Sequence, residues 1–201
     1  VSDTDHYFTA QPASPDERRL LRVYLAGREL EVETAGGIFS PDHVDAGTRV
    51  LLEHVPPPPA EGDLLDLGCG WGPVALTLAL ASPGARVWAV DVNERALDLT
   101  RRNAERLGLT NVHAVRPEQV PDDVRFAALW SNPPIRVGKA ALHAMLTQWL
   151  GRRAPGAEAH LVVAKNLGAD SLQRWIDTEL GLAVDRTASV KGFRILAVRD
   201  R

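Results

Sequence analysis

The stretch DLLDLGCGWGPVALTLALA, residues 63–81, runs from a short apolar segment into a helical one through three alternating glycines. A strand that turns at once into a helix has few ways to continue, because the helix must pack back on the strand and the next strand returns parallel beside it. The rest of the chain keeps that rhythm. RVWAVDV reads as a buried strand, ERALDLTRRNAERLG as a helix closed by Gly108, and NVHAV as a third strand. RFAALWS leads into an Asn-Pro-Pro corner, GKAALHAMLTQWLGRR is an amphipathic helix, AHLVVAK another buried strand and SLQRWIDTEL a last helix. LAVDRTASVK and FRILAVR flank Gly192 too closely for a crossover, so they should pair antiparallel. The fold class expected is α/β, a mostly parallel sheet with helices on both faces and an antiparallel C-terminal hairpin.

Ahead of this pattern, HVPPPPAEGD makes the one compositional break, a stiff polyproline segment from Pro56 to Pro59. RLLRVYL and RELEVET alternate around Ala26-Gly27 like a hairpin, and DAGTRVLLEHV reads as a short helix capped by Asp45. Neither is large enough to fold alone. The reading is therefore one domain over 1–201, with 1–60 as an N-terminal arm or lid and 61–201 as the core. A net charge of −3 excludes a global basic field, so any nucleic acid must meet a local patch. The single cysteine, Cys69, excludes an internal disulfide framework, and no cysteine and histidine cluster has zinc-ligand spacing, so no metal is expected. No apolar run is long enough for a membrane span, and VSDTDHYFTA is too polar for a signal peptide, which points to the cytoplasm.

Glycines between a strand and a helix let the backbone approach a ligand, and the helix N-terminus favours a negative group. The dinucleotide fingerprint G-x-G-x-x-G would need a glycine at position 73 and meets Pro73, which instead suits the first turn of a helix. The glycines fall at 68, 70 and 72, with Asp66 two residues before the first. That D-x-G-x-G-x-G spacing resembles enzymes that use S-adenosylmethionine. Asp91 ends the next strand, where a carboxylate can accept from both hydroxyls of a ribose. A plainer role for Asp91 is to cap the helix starting near Asn93, and for Asp66 to bond its own turn.

The corner WSNPPIRVGK offers two hydrogen-bond acceptors, the Asn132 side-chain oxygen and the Pro133 carbonyl. An amine conjugated to a ring or carbonyl is a poor nucleophile until its N–H groups are held so that the nitrogen turns pyramidal. Proline fixes φ, so Pro133 and Pro134 would set those acceptors before substrate arrives. No strong base is needed, and an apolar wall near Trp71 and Ile135 would leave a reacting cation poorly solvated.

DLGCGWG, DVNERAL and SNPP in this order resemble the methyltransferase small-domain family, in particular bacterial 16S rRNA guanine-N2 methyltransferases. HYFTAQPAS and GGIFSPDHVDAGTRVLL resemble the segments preceding the glycine loop there, so the likeness covers nearly the whole chain. It implies a Rossmann-like class I methyltransferase with a seven-stranded sheet, S-adenosylmethionine as donor and an exocyclic guanine amine of ribosomal RNA, free or in the small subunit, as acceptor. It carries over Asp66, Gly68, Gly70 and Asp91 as cofactor contacts, with Cys69 and Val92 in the same loops. Asn132, Pro133 and Pro134 become the catalytic corner, Asn132 also bordering the cofactor.

Three departures follow. The family usually has Phe or Tyr where Ile135 stands, which would stack on the base, so another ring or Arg136 must help. The loop ARPEQVP offers Glu118 for the adenine amine, or as a solvated surface acid. The larger rRNA enzymes carry an additional N-terminal domain, for which 201 residues leave no room. For phosphate contacts the candidates are Arg136, Lys139, Lys165, Lys191 and Arg194, which include every lysine of the chain. His6, Tyr7 and Phe8 of the arm are candidates to fold over the base, against packing of Phe8 and Phe39 in the core; His143 and Met145 read as packing or surface positions. Methylation of a protein glutamine or of adenine N6 would use the same corner. A silent RNA-binding or assembly module on the same fold is the alternative of another class.

Overall fold

A computed structural model describes residues 17–201. Strands β1 (Arg18–Leu25) and β2 (Arg28–Ala35) form an antiparallel hairpin, and α1 (Ala46–His54) follows with Asp45 as its N-cap. The alternating core comprises β3 (Glu61–Leu67), α2 (Pro73–Ala81), β4 (Gly84–Val90), α3 (Glu94–Arg106), β5 (Val112–Val115) and β6 (Phe126–Ser131). It continues with α4 (Lys139–Leu150), β7 (Arg153–Ala164), α5 (Ala169–Glu179), β8 (Ala183–Val190) and β9 (Phe193–Arg199). Pro73 occupies the first turn of α2 behind Gly72, whose φ of 98° no β-carbon tolerates well.

Seven strands form one sheet in the order β5-β4-β3-β6-β7-β9-β8. The first five run parallel; β9 slots antiparallel between β7 and β8, so the C-terminal pair is antiparallel, as its short turn dictates. The order reverses between β3 and β6, and the crevice beyond their carboxyl ends is where such sheets bind ligands.

Alternation along the strands divides the core. Leu64, Val87, Ala128 and Val162 face α1, α2 and the Leu97 side of α3. Leu65, Val90, Leu129 and Leu161 face α4 and α5. Each buried Leu or Val among them contributes roughly 1.5–3 kcal/mol, and a strand slipped by one residue would exchange whole faces. A third cluster joins Val23, Leu25 and Val32 of the hairpin to Trp71, Leu76 and Leu99. The hairpin thus packs on the outer side of α2 and α3, fastened where the Asn103 amide bonds both the N–H and the carbonyl of Glu33. Among the described residues no helix is long and apolar enough to cross a membrane.

Candidate active site

The turn after β3 is held from below. The N–H groups of Gly68 and Cys69 both reach the carbonyl of Val90, at 2.8 and 3.1 Å, which folds the loop over the end of β4. From α3, Thr100 Oγ1 donates to the Gly70 carbonyl at 3.0 Å and Asn103 Nδ2 to that of Trp71 at 3.0 Å. Gly70 takes φ 56°, and a β-carbon there would meet nothing within 4 Å, so its upper side is open.

Asp66 and Asp91 flank this loop. Asp66 is buried; its Oδ2 accepts from the Ala75 N–H at 2.9 Å, and the residue lines a cavity together with Gly68, Gly70 and Asn132. Burial pushes its carboxyl up to about 8, the Ala75 bond opposes this, and the charge of Asp91 adds to it. Asp91 accepts from Gly70 N at 3.0 Å through Oδ2 and from Asn93 N at 3.0 Å through Oδ1; burial raises its pKa too. The cap of α3 is not Asp91 but Asn93, whose side chain accepts from Arg95 and Ala96. Two buried carboxyls beside an open backbone loop, one of them raised to about 8, fit a cationic ligand, which would favour their charged forms.

The Cys69 thiol lies buried within 3.7 Å of Thr100 Oγ1 and its pKa is raised well above the usual range, so it packs as an apolar group. Val92, 40% exposed, presents an apolar surface directly after Asp91. Glu118 sits on an exposed turn beyond β5 with its carboxylate 2.8 Å from Arg116 Nε, while Arg116 Nη1 reaches Glu94. It is absent from the cavity wall.

At the corner, Ser131 Oγ donates to the Leu67 carbonyl at 2.6 Å and ties the end of β6 to that of β3. Asn132 Nδ2 donates to Asp45 Oδ2 at 2.9 Å and to Thr48 Oγ1 at 3.1 Å. Its Oδ1 has no partner among the described residues and is not sealed from solvent. The carbonyl of buried Pro133 accepts the Ile135 N–H at 2.8 Å, which uses one of its two lone pairs. Sequence reasoning reached Asp45 only as a helix cap and missed Thr48; the pairing to Asn132 spans 87 residues, and no local pattern reports it.

Some expectations change. Trp71 and Ile135 do not form one wall: Trp71 is buried against the hairpin cluster with Nε1 on the Ser40 carbonyl, whereas Ile135 packs on the α4 side of the sheet. Phe39 is not core; it is 50% exposed at the cavity mouth, and its neighbour Ile38 is the buried one. Arg194 is not a surface cation. Its position opposite Val163 in the sheet turns it toward α5, where it is buried and ion-paired with Asp170. Arg136, Lys139, Lys165 and Lys191 are exposed, and Lys165 N bonds the Gly192 carbonyl, which puts the last two side by side. His143 stacks on Trp175 at 3.6 Å between ring centroids. His6, Tyr7 and Phe8 lie outside the described residues. Among the described residues no three His, Cys, Asp or Glu converge as a metal site.

Comparison with known proteins gives the family and the fold. Over 199 residues the chain is 32% identical to the uncharacterized protein YbxB of Bacillus subtilis (strain 168), with 98% of each covered. It is 35% identical to the ribosomal RNA small subunit methyltransferase C of Ectopseudomonas mendocina (strain ymp) over 198 residues, which cover 94% of this chain and 57% of that protein. It thus spans little more than half of that relative. A solved structure of the T. thermophilus 16S rRNA N2 G1207 methyltransferase (RsmC), in complex with AdoMet and guanosine, superposes with a TM-score of 0.80 at 25% identity, over 94% of this chain and 52% of that one. The methyltransferase small domain model matches residues 29–197, and the chain belongs to that family.

Proposed function

We propose that this protein is an S-adenosylmethionine-dependent N-methyltransferase that modifies the N2 amine of a guanine in 16S ribosomal RNA, in the cytoplasm. The observation that carries the reading is the orientation of Asn132. Its nitrogen end is fastened to α1, and its oxygen is open beside a glycine loop flanked by two carboxyls. The named relatives support ribosomal RNA as the acceptor class.

When bound, S-adenosylmethionine supplies an electrophilic methyl group and departs as the thioether. Asp66 Oδ1 would hold its ammonium group, the Gly68 to Gly70 backbone would line its edge, and Asp91 would accept from its ribose, with Val92 against the adenine. Asn132 Oδ1 and the remaining Pro133 lone pair accept the two N–H bonds of the guanine amine, which aims the nitrogen lone pair at the methyl group. The amine becomes acidic only as the new N–C bond forms, so its proton passes to solvent without a strong base.

The test is transfer of labelled methyl into total RNA and total protein from cells lacking the gene, followed by nucleoside and amino-acid analysis. Label in N2-methylguanosine of small-subunit RNA is expected. Label in N6-methyladenosine or in protein glutamine would replace the acceptor, and none with cofactor bound would favour a silent module.

A further inference from the structure

We infer that Asp45 is a positioning residue for methyl transfer, because its carboxylate decides which end of the Asn132 amide faces the acceptor. This rests on the acceptor-site reading above. An amide's two ends are nearly equal in size, so only its partners determine whether oxygen or nitrogen points into the cavity. Of the two groups touching Asn132 Nδ2, the Thr48 hydroxyl can donate or accept and is indifferent to a flip. The carboxylate of Asp45 accepts only. A flipped amide would set Oδ1 against Asp45 Oδ2, oxygen against oxygen, and present two N–H donors to an amine that needs acceptors.

The carboxylate is itself fixed. Asp45 Oδ2, the atom that meets Asn132, also accepts the N–H groups of Gly47 at 2.7 Å and Thr48 at 3.1 Å in the first turn of α1. A β-carbon on Gly47 would come within 3.0 Å of both that oxygen and the Phe193 ring, so the absence of a side chain there keeps the carboxylate in place. The same oxygen therefore caps a helix and orients an amide 87 residues away.

The experiment compares four variants, using labelled S-adenosylmethionine and small-subunit ribosomal RNA from cells lacking the gene. Serine caps helices about as well as aspartate, but its hydroxyl is shorter and both donates and accepts. Asp45→Ser is expected to lower kcat by about 10-fold or more, with thermal midpoint, cofactor Kd and KM for RNA near wild type, since what is lost is the aim of the amine at the methyl group and not the phosphate contacts that hold the RNA. Asp45→Asn, whose oxygen can take the same three bonds, should regain much of that loss. Asn132→Ala should lower kcat by about 10²-fold, and adding Asp45→Ser to it should change nothing more, because no amide remains to orient. In the cofactor-free protein, the Asn132 side-chain N–H resonances should be dispersed and slow to exchange, and Asp45→Ser should shift them toward those of a free side chain. Wild-type kcat in Asp45→Ser, or an undiminished further loss in the double variant, overturns the proposal. Full activity in Asn132→Ala would instead overturn the acceptor-site reading beneath it.

Discussion

A carboxylic acid buried at the floor of the glycine loop, with no cation beside it among the described residues, is easier to keep protonated than charged. Asp66 is that group, its pKa raised from 3.8 to about 8 chiefly by burial. Because the folded value lies above the unfolded one, the unliganded protein is favoured below about pH 4 by this group and loses that advantage as pH rises through 8. At about 1.4 kcal/mol per unit, the cost of ionising Asp66 amounts to several kcal/mol at full charge. A bound ammonium group reverses the balance. Near pH 7 S-adenosylmethionine binding should therefore release close to one proton, read by calorimetry in buffers of different ionisation heat. Asp66→Asn should abolish that release; its persistence in the variant would assign the proton elsewhere.

At the scale of elements, α3 connects the site to the hairpin. Asn103, fully buried, bonds the N–H and carbonyl of Glu33 in β2 and the carbonyl of Trp71 in the glycine loop. Asn93 and Arg95 at the start of the helix bond the carbonyls of Gly37 and Gly36, and Trp71 bonds that of Ser40. The segment that presents Phe39 is thereby fastened to the loop that would hold the cofactor. Asn103→Ala leaves buried backbone groups unpaired on both sides and should cost about 2–4 kcal/mol, seen as a lower urea midpoint with unchanged slope. An unchanged midpoint would mean that apolar contacts alone hold the hairpin.

At the scale of the molecule, a net charge of −3 means that attraction to RNA must be local. Arg136 and Lys139 follow β6, Lys165 follows β7, and Lys191 lies in the β8–β9 turn, so all four sit on the carboxyl edge of the parallel strands where Asn132 opens. Replacing the three lysines by alanine should weaken RNA binding across sequences and reduce the slope of log K against log salt by about 2, the share of three phosphate contacts on single-stranded RNA. Cofactor affinity should not change. An unaltered slope would make the lysines ordinary solvated surface.

Periodicity, glycine spacing and proline placement were enough to read the α/β order, the antiparallel ending, the Asp45 cap and the loops that meet at the site, because each is written within a few neighbouring residues. The face that a strand residue presents, and what waits there, was not. Arg194 reads as a free cation until β9 is inserted beside β7 and turned to α5; Phe39 reads as core until Ile38 takes the buried place. The Asp45 to Asn132 bond belongs wholly to the tertiary structure, since a hydrogen bond depends on distance in space, and only the folded sheet brings the start of α1 to the end of β6.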